Sequence, residues 1–97
     1  MEIIVFYHDD EYDEWRFSYI KDSALLFRGT VSYQPSSKDV LYTAFGYGDS
    51  DKYKEVSKTY KFTDWEGTAI NARSMMILAV QAAYPEVKDS IVVLNVG

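Results

Sequence analysis

The chain of 97 residues contains no cysteine and only one histidine, His8. The lack of cysteine excludes disulfides, a thiol nucleophile and metal sites built on thiolates. His8 has no second histidine beside it for a metal, and no Gly-x-Ser-x-Gly segment supplies a serine nucleophile. We therefore expect no catalytic residue, no metal ligand and no cofactor.

Long apolar runs are also missing. No stretch approaches the ~18 apolar residues that a membrane-spanning helix needs, and the N-terminus lacks the basic-then-apolar pattern of a signal peptide. With the lack of cysteine, this predicts a cytoplasmic protein with no membrane partner. There are only two prolines and five glycines, and no linker or repeat divides the sequence. We expect a single domain over residues 1–97, which is long enough for one core.

Tyrosine and locally placed acidic charge are what the sequence has in excess. Aromatic residues make up 16% of the chain, and nine of them are tyrosines. Residues 1–22 carry seven acidic and two basic side chains, which accounts for the whole net charge of −5, and the remainder is neutral. No broad basic face is available for nucleic acid. Such local acidity favours a protein partner with a basic surface.

Most of this charge lies in one short segment. The predicted partner-binding residues are Asp9, Asp10, Glu11, Tyr12, Asp13, Glu14 and Trp15. Their five carboxylates would supply charge, and the two aromatic side chains would act as anchors of the kind that interfaces favour. A solvated hairpin turn with no partner is the alternative interpretation of the same residues.

The acidic segment also resembles part of a calcium loop. Asp9, Glu11 and Asp13 have the alternate spacing of the first three ligands. However, Glu14 stands where such a loop needs glycine, and Ile20 stands where it needs a bidentate glutamate. A weak divalent-cation site and a site without a cation both remain as hypotheses, and no residue is assigned as a metal ligand.

Apolar patterns predict five strands. They cover 2–7, 15–19, 25–33, 55–62 and 91–96, with Gly29 as a candidate bulge in the third. The segment 36–47 fits either a short helix or a strand, and its Pro-Ser-Ser-Lys-Asp start favours the helix. The run at 91–96 is apolar at nearly every position, which is typical of a central strand.

One long helix is predicted over 63–84. Thr63 and Glu66 have the spacing of a capping box at its start, and Pro85 ends it because the residue before a proline is disfavoured in the α region. We therefore expect an α+β fold. Its mostly antiparallel sheet of about five strands would have the helix packed on one face, with a β-α-β unit at the C-terminus.

Two apolar side chains fall outside the sheet-facing arc of this helix. At ~100° per residue, Met75 and Leu78 lie beside polar positions. They are either covered by the segment 34–47 or form a self-association surface in a homodimer.

The order of strands and helix resembles the first half of the ribonuclease H-like fold, over roughly two thirds of the chain. Residues 68–73 are similar to the helix entry of that family. The resemblance implies Asp9 or Asp10 as a metal-binding carboxylate at the end of the first strand. The family's helix carries a glutamate where this chain has 73–76, and the family's next strand ends on aspartate where this one ends at Asn95.

Two functions are therefore predicted. The first is a small acidic, non-enzymatic protein-binding module, similar in composition to phage-encoded inhibitors of nucleic-acid-handling or defence enzymes. The alternative is a metal-dependent enzyme that acts on phosphodiesters, with a degenerate ribonuclease H-like fold.

Overall fold

The computed structural model describes the backbone of residues 1–34, 39–46, 55–61 and 69–97, and the side chains of residues 1–32 and 72–97. The predicted capping box at Thr63 and Glu66 lies outside the described residues. In the described part, no helix is long and apolar enough to cross a membrane.

The described residues form six strands and one helix. In chain order they are β1 (Glu2–Asp9), β2 (Glu14–Lys21), β3 (Ala24–Gln34), β4 (Asp39–Gly46), β5 (Glu55–Lys61), α1 (Ala69–Ala83) and β6 (Val92–Asn95). The strands make one sheet in the order β5-β4-β3-β2-β1-β6. The first five form an antiparallel meander, and β6 pairs with β1 in parallel. The predicted α+β class is confirmed, and the strand count of about five is corrected to six.

Within the segment 36–47, whose start favours a helix, the described residues Asp39–Gly46 form a strand. All of Asp39–Gly46 pairs with β3, and most of it also pairs with β5. A strand inside a sheet exchanges ladder hydrogen bonds on both sides, whereas an isolated helix of this length is marginal. Tertiary pairing therefore overrides the local helix-start signal.

The predicted β-α-β unit is not confirmed, because β5 and β6 occupy opposite edges of the sheet. Helix α1 contacts β2 through β5, so it crosses the strands. Its 15 residues span ~22 Å, close to the ~24 Å between the two outer strands. The helix thus carries the chain across the sheet. The run predicted as a central strand is consequently an edge strand, and Val92 and Leu94 are largely exposed.

The hydrophobic core lies between α1 and one face of the sheet. Its fully buried larger side chains are Tyr19, Phe27, Ile4, Met75, Met76, Val31 and Val80. Met75 therefore belongs to the core, whereas Leu78 is exposed. The buried arc of α1 is shifted towards Met75 relative to the sequence prediction. Of the two residues predicted for self-association, only Leu78 has an exposed side chain.

One irregularity in β3 explains an unexpected exposure. The strict alternation of the sequence predicts that Leu25 and Phe27 share a face. In the structure, Tyr19 pairs with Phe27 but Ile20 pairs with Leu25, so Leu26 is an extra residue in the ladder. This bulge reverses the facing of the residues before it. Phe27 is buried and Leu25 is exposed, and the bulge predicted at Gly29 lies instead at Leu26.

The sheet face opposite α1, called the open face below, is not covered by the helix. A hollow of about 370 Å³ lies on it, and its lining includes Val5, Tyr7, Arg16, Ser18 and Arg28. This face also carries the exposed side chains of β6, because side chains alternate between the two faces of a sheet.

Candidate functional site

The acidic segment is a tight turn at the end of a regular hairpin. Strands β1 and β2 pair without interruption up to Asp9 opposite Glu14, so residues 10–13 form a four-residue turn. Asp13 closes it with φ 50, a left-handed conformation that aspartate tolerates better than most residues. Strands β1 and β2 thus form a hairpin, and its ladder gives the turn a rigid base.

His8 holds two carboxylates of this turn. Its Nδ1 lies 2.6 Å from Asp10 Oδ1, and its Nε2 lies 3.2 Å from Asp13 Oδ1. A neutral imidazole can donate from only one nitrogen, whereas the protonated ring donates from both. The hydrogen bond with Asp10 is the main reason that the pKa of His8 is raised, although partial desolvation opposes it. The Trp15 ring packs edge-on against the imidazole, with centroids 4.7 Å apart.

Arg16 holds a second pair of carboxylates. Its Nε lies 2.9 Å from Asp9 Oδ2, and its Nη2 lies 3.1 Å from Glu14 Oε1. The Nε contact is an ion pair without an aligned hydrogen bond. The guanidinium carbon also lies 5.6 Å from the centre of the Tyr12 ring, within the range of a cation–π contact. One arginine thus connects both strand ends with the tip of the turn.

These contacts divide the five acidic residues into two groups. The Asp9 and Glu14 side chains are only 20% and 19% exposed, and Arg16 balances part of their charge. The Asp10 and Asp13 side chains are 95% and 93% exposed. Glu11 is also exposed, and its backbone N–H donates to Asp9 Oδ1. We call Asp9 and Glu14 the inner pair, and Asp10, Glu11 and Asp13 the outer acids.

The two predicted aromatic anchors differ in position. Tyr12 is exposed at the tip of the turn beside the outer acids. Trp15 is half-buried, packs against the core and meets Phe6 edge-on, with ring centroids 5.7 Å apart. Tyr12 can therefore contact a partner directly, whereas Trp15 mainly supports the turn from below.

Sequence reasoning missed the roles of His8 and Arg16. The alternation of side chains along a strand places Glu14 and Arg16 on one face of β2, and Asp9 is the cross-strand neighbour of Glu14. Cross-strand neighbours on one face are close enough for ion pairs. These ion pairs can be predicted only when the register of β1 against β2 is known, because the register places Asp9 opposite Glu14.

The carboxylates that the ribonuclease H-like resemblance implies are already engaged. Asp9 uses one oxygen for Arg16 and the other for the Glu11 backbone N–H, and Asp10 is paired with His8. Within the ranges that the structure describes, no three His, Cys, Asp or Glu side chains are grouped so that they could hold a metal ion. No described ligand set therefore supports the metal-dependent alternative.

Comparisons with protein-family models, with curated proteins and with solved structures found no match for this chain.

Proposed function

We propose that this protein is a small acidic, non-enzymatic binding module that uses residues 10–13 to contact a basic surface on a partner protein. One observation carries the proposal. The inner pair is turned inward onto Arg16, whereas the Asp10 and Asp13 side chains are almost fully exposed on a rigid hairpin. Negative charge is concentrated at the tip of the turn, where a partner can reach it.

The outer acids would act as a group. At physiological ionic strength the Debye length is ~8 Å, which is comparable to the size of a four-residue turn. A basic surface that approaches the tip therefore experiences all three charges at once. Charge of this kind steers encounter and selects among partners more than it adds affinity. Tyr12 would add apolar contact beside the charges, as aromatic anchors do at interfaces.

A fitting class of partner is an enzyme with a cationic groove for nucleic acid. Such a groove is lined by lysine and arginine that bind phosphates, and a compact group of carboxylates can occupy the same side chains. The protein would then act as an inhibitor of a nucleic-acid-handling or defence enzyme in the cytoplasm, as phage-type inhibitors do.

The test compares two variants with the same charge change. The first variant carries D10N, E11Q and D13N, which remove the negative charges of the three outer acids. The matched control carries D22N, E86Q and D89N, three exposed acids elsewhere on the protein. Each protein serves as bait in a lysate of the source cells, with and without nuclease treatment, and captured proteins are quantified by mass spectrometry.

The proposal predicts one stoichiometric partner that survives nuclease treatment. The wild type and the matched control should capture it, and the outer-acid variant should lose most of it, because only that variant alters the charge at the tip. Equal capture by all three baits would exclude the turn as the contact. Loss with both variants would show that net charge, and not the turn, determines binding.

A further inference from the structure

Strand β6 presents free backbone groups at the edge of the sheet. The Val96 N–H donates to the Phe6 carbonyl at 2.8 Å. In a parallel ladder, alternate residues of a strand bond to the same neighbour, so Leu94 also faces β1 with its backbone. The N–H and C=O groups of Val93 and Asn95 therefore point away from β1. Among the described strands, none lies beyond β6.

The side chains of β6 do not protect this edge. The strand carries no charged residue, and Val92, Leu94 and Val96 are 53%, 49% and 61% exposed on the open face. Edge strands are usually blunted by charge, by proline or by a bulge, because an exposed apolar edge invites pairing with another strand. None of these devices is present between residues 92 and 96.

We propose that β6 pairs antiparallel with β6 of a second copy of this chain, with a two-fold axis at Leu94. Val93 of one copy then lies opposite Asn95 of the other, and each of these two pairs exchanges both ladder bonds. Leu94 of one copy lies opposite Leu94 of the other in a non-hydrogen-bonded pair, where side chains approach most closely. Val92 lies opposite Val96 on either side. Every pair on the open face is therefore apolar.

Internal hydrogen bonds favour this register over its neighbours. A two-fold axis at Asn95 would set Val93 opposite Gly97, whose N–H already donates to Asn95 Oδ1 at 3.1 Å. An axis at Val93 would set Asn95 opposite Ile91, whose N–H already donates to the Lys88 carbonyl at 3.0 Å. Only the axis at Leu94 pairs Val93 with Asn95 and leaves both of these internal hydrogen bonds in place.

The charge distribution favours a second copy in the antiparallel direction. The net charge of −5 would oppose most contacts between copies, but β6 is uncharged, so it can meet itself without like-charge repulsion. Because β6 is parallel to β1, the acidic residues 10–13 lie beyond the C-terminal end of β6. Antiparallel pairing sends the two acidic turns to opposite ends of the joined sheet. Isologous contact of this type closes a dimer.

Sedimentation velocity of the full chain tests the proposal. The wild type should sediment at about twice the chain mass of 11.2 kDa at ~100 µM, which populates a dimer of micromolar affinity. L94K should sediment as a monomer, because it places two like charges face to face. The matched control L25K changes another exposed leucine of the open face, in β3, and should remain a dimer. L78K should also remain a dimer, because Leu78 lies on α1.

A charge-swap experiment addresses the register. L94K and L94E should each be monomers, and their equimolar mixture should recover the dimer mass, because the axis sets opposite charges in contact. Recovery also shows that both variants fold. A monomeric wild type, a dimeric L94K, or a mixture that stays monomeric would each overturn the proposal. The first of these outcomes would leave β6 as an edge for an extended segment of a different protein.

Discussion

His8 should titrate above the ordinary histidine pKa of 6.5, because its two ring nitrogens contact Asp10 and Asp13. D10N should lower that pKa more than D13N, since the contact with Asp10 is shorter and is the main cause of the shift. D22N is the matched control, because Asp22 is exposed and pairs with the N-terminal amino group of Met1.

The contribution of the two His8 contacts to the free energy of unfolding is small, because the Asp10 and Asp13 carboxylates are exposed. Exposed ion pairs contribute ~0.2–1 kcal/mol each, so the two contacts of His8 contribute about 0.4–2 kcal/mol together. For a domain of this size, 1 kcal/mol changes the Tm by roughly 4–8 °C. The D10N/D13N double variant should therefore lower the Tm by about 2–16 °C when His8 is protonated, and less in high salt.

The pH dependence has a definite direction. The folded state raises the pKa of His8, so it binds the proton more tightly than the unfolded chain does. This contribution to stability is complete below about pH 6.5 and is lost as the pH rises through the raised pKa. The difference in Tm between the wild type and D10N/D13N should therefore be larger at about pH 5.5 than at about pH 8.5.

Proton NMR measures the titration directly, because the single histidine gives one set of imidazole signals. A His8 pKa at or below 6.5 in the wild type would refute the contacts of His8 with Asp10 and Asp13. The same His8 pKa in the wild type, in D10N and in D13N would refute these contacts as well. A pKa that falls equally in D22N would indicate a general charge effect in place of a local contact.

Two substitutions test the core. F27A should lower the free energy of unfolding by about 3–5 kcal/mol in urea denaturation, because Phe27 is fully buried. The control L25A changes an exposed leucine two residues away and should lower it by about 1 kcal/mol or less. Equal losses of stability would contradict the assignment of Phe27 to the core and Leu25 to the open face. Y19F removes the 2.7 Å hydrogen bond from the Tyr19 hydroxyl to Glu2 Oε2 and should cost about 1.5–3 kcal/mol. Burial raises the pKa of Tyr19 well above 10, so the wild type should lose stability above about pH 10 and Y19F should lose less; identical alkaline profiles would contradict the buried phenol.

Local patterns predicted the parts of the fold that depend on neighbours in sequence. The hairpin around residues 10–13 follows from two apolar stretches that flank a polar one. Asp22 and Ser23 form the two-residue turn between β2 and β3, and both adopt the positive φ that such a hairpin turn requires.

The errors arose where distant segments decide the outcome. The segment 39–46 became a strand because β3 and β5 flank it. The run at 91–96 is apolar yet lies at an edge, since apolar composition allows exposure as well as burial. The division of the acidic residues into inner pair and outer acids depends on Arg16, whose reach across the hairpin can be read only once the register is known.

The association rate constant tests the central claim most directly. It would be measured for the captured partner with the wild type and with the D10N/E11Q/D13N variant, at about 10 and 150 mM salt, where the Debye length is ~30 and ~8 Å. We expect association of the wild type to slow severalfold with added salt. The variant should associate more slowly, with a weaker salt dependence. Equal rates and equal salt dependence for the two proteins would contradict recognition through the acidic turn.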